Sequence, residues 1–171
     1  MASPFLVLLD RDGTIIVDKP NLDTPDGLEL LPNAVDGMKA LSAAGAILCI
    51  VTNQSGVGRG YFDLDTAFAI NNRLVDMLIA QGIEIAHVAT CPHVPDDHCN
   101  CRKPRPGLAL AIAEATGLSL EEAWVIGDKP SDVEMAVIMG GRGVLISDEA
   151  VADVATAKDL VEAAAILVAS E

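Results

Sequence analysis

Five consecutive apolar residues, Phe5 to Leu9, run without a break into Asp10, Arg11, Asp12, Gly13 and Thr14. A short continuous apolar run has no polar face to offer to water. It suits a strand buried on both faces, the situation of a parallel sheet with helices above and below it. The position of Asp10 adds a second constraint. It stands where that strand ends, and open parallel sheets take their ligands beyond the carboxyl ends of their strands. Two carboxylates two residues apart therefore fall where chemistry is usually done.

The rest of the chain repeats the pattern. Ala46 to Val51 reads as a second buried strand ending at Thr52. Ile83 to Ala89 reads as a third, ending at Thr90 and Cys91; Glu122 to Ile126 as a fourth, ending at Gly127 and Asp128; Gly143 to Ile146 as a fifth. Helical patterns lie between them. One runs from Asn33, a candidate N-cap, to Gly45, a candidate stop. Others cover Asp63 to Gln81, Gly107 to Thr116, and Ser131, as a cap, to about Met139. A last helix, about Thr156 to Val168, would dock on the sheet. Strands alternating with helices predict an α/β fold with a parallel sheet and right-handed crossovers. The 171 residues show no linker, repeat or low-complexity segment, so one domain is expected over 1–171. With 51% hydrophobic but only 3% aromatic residues, its core must be aliphatic and rich in Ala.

In such a sheet Asp10, Thr52, Cys91 and Asp128 converge on one edge. Arg11, Lys19, Arg59, Arg102, Lys103, Arg105 and Lys129, seven of the eleven basic residues, lie in loops at that edge. The chain as a whole carries a net charge of −14. That field repels nucleic acids and anionic membranes. Cations gathered around carboxylates in an acidic protein suit a small anion, phosphate above all, held together with a divalent metal. The glycine-rich loop Ser55 to Gly60, with Arg59, allows close approach of backbone to such an anion. The loop-rich stretch Ile15 to Pro32 follows the two carboxylates directly and can fold over the site. No apolar stretch reaches the ~20 residues that span a bilayer, and no basic segment precedes the first apolar run. A cytoplasmic monomer is the expectation.

These residue types permit phosphoryl transfer to a carboxylate. Asp10 can attack phosphorus to give an aspartyl phosphate. Carboxylate and phosphate repel, so a hard cation must stand between them. Mg²⁺ takes oxygen ligands; Asp10 and Asp128 can supply two, with Asp12 a further candidate. Asp12 is also placed to protonate the leaving alkoxide and then to activate water. Thr52 and Lys103 can stabilise the equatorial oxygens.

A separate signal lies in Cys91, His93, Cys99 and Cys101. Three thiols and an imidazole within eleven residues match a closed structural Zn²⁺ site. His98 could replace His93, although the spacing favours His93. The metal would fix the loop that delivers Arg102 and Lys103. Cys49 and Trp124 read as core residues.

Taken together, these motifs resemble the haloacid dehalogenase (HAD) superfamily over about Phe5 to Ile146. Asp10-Arg-Asp-Gly-Thr14 is similar to its first motif, Thr52 to its second, Lys103 to its third, and Gly127-Asp128 with Asp132 to its fourth. The resemblance implies a three-layer, Rossmann-like sheet, Mg²⁺ and an aspartyl-phosphate intermediate. The spacing between motifs leaves no room for a large cap domain. More narrowly, DRDGT, TNQSGVGRGYF, CPH with CNCRKPRPG, and GDKPSD resemble the D-glycero-D-manno-heptose-1,7-bisphosphate 7-phosphatases. That likeness implies a small phosphorylated sugar as substrate, contacts from Thr52, Asn53, Gln54, Ser55, Arg102, Lys103 and Lys129, and zinc on the cysteine loop. Gly58 departs from the Ala usual in those enzymes, and the short interval between His93 and Cys99 is as compact as in the related histidinol-phosphate phosphatases. The histidinol enzymes are therefore the alternative. Polynucleotide 3′-phosphatases share the glycine-rich loop but lack the cysteine loop. An idle metal-binding domain on the same fold is the non-enzymatic alternative.

Overall fold

The computed structural model describes residues 3–20 and 22–170; Met1, Ala2, Asn21 and Glu171 lie outside the described residues. Six strands form one parallel sheet in the order β3-β2-β1-β4-β5-β6. They are β1 (Phe5–Leu9), β2 (Ala46–Asn53), β3 (His87–Cys91), β4 (Trp124–Gly127), β5 (Arg142–Ile146) and β6 (Ala155–Ala157). Helices α1 (Ala34–Ala43), α2 (Ser55–Gly58), α3 (Leu64–Ala80), α4 (Gly107–Thr116), α5 (Pro130–Ile138) and α6 (Leu160–Ala169) connect and follow them.

All five residues of β1 are buried, because successive side chains enter different cores. Phe5, Val7 and Leu9 pack with Met38, Leu41, Ile70, Leu74 and Leu167, the inner faces of α1, α3 and α6. Leu6 and Leu8 pack with Leu108, Ile112 and Met135, from α4 and α5. The result is three layers, with helices on both faces of the sheet. Close packing has a specific device at α1 and α6: a Cβ on Gly37 would lie 2.4 Å from the backbone of Leu160.

Register positions the site. Leu9 pairs with Ile50 on one side and Ile126 on the other. The Asp10 N–H continues the ladder, donating to the Ile126 carbonyl at 2.9 Å. Thr52 pairs with Thr90 and Asn53 with Cys91. Asp10, Thr52, Cys91 and Asp128 thus share one edge.

Several boundaries differ from the sequence reading. The third strand starts at His87 rather than Ile83, because residues 83–86 approach the sheet without joining the ladder; only the Ala86 N–H reaches β2, on the Leu48 carbonyl. The tail holds a sixth strand where a helix was expected from Thr156. The helix starts instead after Asp159, whose carboxylate accepts the Glu162 N–H at 3.0 Å. Helix α5 starts before Ser131, with Lys129 at the N-cap and Pro130 leading the first turn. Asn33 does stand at the N-cap of α1. Its amide, however, donates to Asp159 at 2.8 Å and links the two helix starts instead of capping its own.

The Ile15 to Pro32 segment, outside Asn21, folds back on itself. Val17 N–H donates to Glu29 and Leu31 N–H to Ile15, so a short antiparallel flap stands beside the carboxylates. No helix among the described residues is long and apolar enough to cross a membrane.

Candidate active site

Asp10 leaves β1 into a tight turn that brings Gly13 under Asp128. Gly13 has φ +84°, and a Cβ there would fall 2.2 Å from Asp128 Oδ2. Only glycine fits this approach. Gly127 is just as constrained: a Cβ on it would meet Asp132 Oδ2 at 2.1 Å. Carboxylate oxygens of Asp10, Asp128 and Asp132 consequently all lie within 4.8 Å of one another.

Lys103 closes this cluster from the loop after β3. Its buried ammonium lies 2.8 Å from Asp10 Oδ1 and 2.7 Å from Asp132 Oδ1, and donates to the Val51 carbonyl at 2.8 Å. Burial alone would lower its pKa; Asp10 and Asp132 outweigh burial and raise it. Asp132 is pushed up by burial and by Asp10, against the pull of Lys103. Asp128 is pushed up to about 7, first by burial and then by Asp10. One buried oxygen of Asp128 has no hydrogen-bond partner among the described residues. Lys129 Nζ is 3.5 Å from it. Three crowded carboxylates with an unsatisfied oxygen suit a hard, oxygen-seeking cation.

Asp12 is turned elsewhere. Arg11 donates to both of its oxygens, from Nε at 3.0 Å and from Nη2 at 3.2 Å, and Gln54 Nε2 donates at 2.8 Å. The Asp12 carboxylate, expected in the Mg²⁺ set, is thus held by Arg11 and Gln54, while the Asp132 carboxylate lies in the cluster with Asp10 and Asp128. Gln54 also donates to the buried Thr52 hydroxyl at 2.7 Å. Asn53 holds the main chain of Lys103 from both sides, accepting its N–H at 3.0 Å and donating to its carbonyl at 3.3 Å. The amides of Asn53 and Gln54 make these hydrogen bonds within the protein, and both residues also line a cavity under the flap.

Two adjoining cavities open above these groups. One, of about 270 Å³, is lined by Asp10, Asp12, Ser55, Arg102, Lys103, Lys129 and Asp132. The other, also about 270 Å³, lies under the flap, with Asp18, Lys19, Leu22, Arg59, Tyr61 and Phe62 on its walls. Asp12, Asn53, Ser55 and Lys129 border both.

The cysteine loop forms a compact knot at the end of β3. Cys101 Sγ is 3.1 Å from Cys91 Sγ, Cys91 is 3.7 Å from Cys99, and His93 Nδ1 lies 3.3 Å from Cys101 and 3.5 Å from Cys91. All the cysteines are free thiols. Tetrahedral ligands around zinc would stand about 3.5–3.8 Å apart, given Zn–S near 2.3 Å and Zn–N near 2.0 Å, so these four side chains fit one ion. Burial raises Cys99, but the N–H groups of Arg102 and Cys101 and the neighbouring thiols bring it down to about 6. His98 projects outward with φ 51° and is not in the cluster. The knot is tied to the active centre: Arg102 donates to the His93 carbonyl at 3.3 Å, and Lys103 is the next residue.

Comparison with known proteins agrees with this arrangement. Residues 100–170 match the HAD-hydrolase-like family model. The chain is 42% identical over 142 residues to the D-glycero-beta-D-manno-heptose-1,7-bisphosphate 7-phosphatase of Pseudomonas putida, covering 82% of this chain and 81% of that one. The chain belongs to the heptose-bisphosphate phosphatase family. It is a phosphatase of the HAD superfamily. The crystal structure of a D,D-heptose 1,7-bisphosphate phosphatase from B. bronchiseptica, complexed with magnesium and phosphate, superposes with a TM-score of 0.87 at 30% identity. The overlap covers 98% of this chain and 99% of that one. A more distant relative is the histidine biosynthesis bifunctional protein HisB of Legionella pneumophila, 33% identical over 83% of this chain but only 41% of its own length.

Within this heptose-bisphosphate phosphatase fold, the roles of three residues are not legible in the sequence. Asp132 was visible in the last motif but had no assigned role. Arg11 reads in sequence only as one of the cations at the sheet edge, not as the partner of Asp12. Asn71 carried a signal of its own, a polar residue at a buried position of α3 among Ala67, Ile70, Leu74 and Leu78.

Proposed function

We propose that this chain is a Mg²⁺-dependent phosphomonoesterase that removes the 7-phosphate of D-glycero-D-manno-heptose 1,7-bisphosphate. It would act as a single domain over 1–171, as a monomer in the cytoplasm. The 42% identity to the Pseudomonas putida heptose enzyme carries the substrate assignment. A cavity lined by Arg59 and Lys19 beside the one that holds Asp10 supports it, since a bisphosphate needs cations at two places.

Asp10, Asp128 and Asp132 would hold Mg²⁺ through their carboxylates, with Asp12 a further ligand candidate through its main chain; when bound, the ion screens the carboxylates from the phosphate dianion. Lys103 occupies Asp10 Oδ1, so the other oxygen attacks phosphorus as the ester P–O bond breaks. Asp12, in its acid form, gives its proton to the leaving sugar oxygen. Its carboxylate then takes a proton from the water that attacks the aspartyl phosphate, releasing inorganic phosphate and restoring Asp10. Thr52, Lys103 and Lys129 would stabilise the transferring phosphoryl group, with Asn53, Gln54, Ser55, Arg59 and Arg102 bordering the substrate. Cys91, His93, Cys99 and Cys101 would hold structural Zn²⁺.

The test compares kcat/KM for heptose 1,7-bisphosphate, as both anomers, with that for histidinol phosphate. The proposal expects a preference of a hundredfold or more, about 2.7 kcal/mol in the transition state. A preference for histidinol phosphate would overturn the substrate and leave the reaction class standing.

A further inference from the structure

Arg11 is 1% exposed, and its guanidinium stands between two partners. Towards the site it holds both oxygens of Asp12; away from the site its Nη1 donates to Asn71 Oδ1 at 2.8 Å. The Asn71 amide in turn donates to Thr90 Oγ1 at 2.9 Å. Gln54, the other donor to Asp12, is fixed in a parallel way, its N–H on the Cys91 carbonyl at 2.7 Å. Two arms thus run from the Asp12 carboxylate to consecutive residues of β3, Thr90 and Cys91.

We propose that Arg11, Asn71 and Thr90 are positioning residues that aim the Asp12 carboxyl for proton transfer, without touching substrate. Arg11 is a planar fork, so it fixes the plane of the carboxylate as well as its place. A fork with free torsions would not aim anything; Asn71 removes that freedom by holding its far nitrogen. Asn71 cannot turn either, because its amide is bonded to the sheet through Thr90. This accounts for a buried asparagine in the middle of an otherwise apolar helix face, where an aliphatic residue would pack at lower cost.

The proposal rests on Asp12 being the acid and base of the reaction, and the experiment separates the two. kcat/KM reports the steps up to release of the leaving group. A sugar alkoxide needs a proton at that point, whereas p-nitrophenolate leaves without one. Asp12→Asn should therefore reduce kcat/KM for the heptose bisphosphate far more than for p-nitrophenyl phosphate, by about 10²–10⁴-fold in relative terms. Asn71→Ala and Thr90→Val should show the same selectivity, weaker, at about 10-fold or more. Arg11→Lys keeps the charge and loses the fork, and should fall between them. A merely structural role for Asn71 would lower both substrates equally, and that result, with the Asp12→Asn selectivity intact, overturns the proposal. Loss of selectivity in Asp12→Asn itself would overturn the acid–base reading instead. Should Asn71→Ala fold poorly, Thr90→Val, a near-isosteric change at the end of the relay, carries the same test.

Discussion

Asp10 stands more than a hundred residues from Asp128 and Asp132 in the chain, whereas Cys91, His93, Cys99 and Cys101 lie within eleven. The carboxylates are held by strand ends and by the first turn of α5. Their separation is set by the register of β1 against β4, whatever occupies the space between them. The thiols sit on an irregular loop joined to the sheet mainly through Cys91. A cation between the carboxylates would relieve a repulsion that the fold imposes; a cation among the thiols would be the cross-link that gives the loop its shape. The same kind of event, loss of a metal, should therefore do opposite things in the two places.

The largest effect expected is chemical. Asp10→Asn should lower phosphate release by at least about 10³-fold, because no other group can take the place of the nucleophile. Circular dichroism should be unchanged, since the strand pairing does not involve the side chain. Activity near wild type would remove the carboxylate cluster from the mechanism altogether. Next comes the cysteine loop. Metal analysis should find about one zinc per chain by the closed-site logic, and Cys101→Ser should lose it. Melting temperature should then fall by roughly 10 °C, the equivalent of a few kcal/mol in a domain of this size. Activity should fall too, because Lys103 is two residues away. Metal-free protein with an unchanged melting curve and full activity would erase the contrast between the clusters.

Asp128→Asn sharpens it from the other side. In Mg²⁺-free buffer at pH 8 this change should raise the melting temperature by about 2–4 °C while abolishing Mg²⁺ binding. The sign follows from the raised pKa of about 7 for Asp128. The folded state holds the proton more tightly than the unfolded one, so this group costs stability as pH rises from about 4 to about 7. The asparagine variant lacks that component, which calorimetry from pH 5 to 8 would reveal. Mg²⁺ affinity in the wild type should weaken below pH 7, as protons compete for the same oxygen. The smallest effect concerns the loop's reach into the site. Arg102→Ala should raise KM about 10-fold for a bisphosphate, the loss of one charge-assisted contact, and less for a monophosphate. Equal changes would restrict Arg102 to its bond with the His93 carbonyl.

The same contrast explains what could be read from the chain alone. The cysteine loop is local, and its four candidate side chains and the preference for His93 over His98 follow from spacing. The strand-end residues were legible for a different reason: an apolar run followed by a polar residue marks a carboxyl end, and parallel pairing brings such ends together. Less legible was anything that depends on where a side chain turns. That the Asp12 side chain is held by the Arg11 fork and Gln54 is not written in the sequence, because it depends on which way the chain turns after β1. Strand β6 escaped because three residues, Ala155 to Ala157, at the rim of a sheet carry too little apolar pattern to stand out. The late start of β3 escaped because Ile83 and Ile85 are apolar for packing, not for pairing.

The central place of β1 in the sheet has a consequence for how the protein is made. Its first partner, β2, follows it from the ribosome after some forty residues, but its second, β4, is not synthesised until residues 124–127. Until then the most apolar strand of the sheet has one open edge, able to pair with any other nascent chain. Fragments that end before β4 should be insoluble for that reason. Asp128 follows β4 at once, so the step that closes this edge also delivers the last strand-end carboxylate. Closure of that edge and assembly of the carboxylate cluster, completed four residues later at Asp132, therefore fall close together in synthesis.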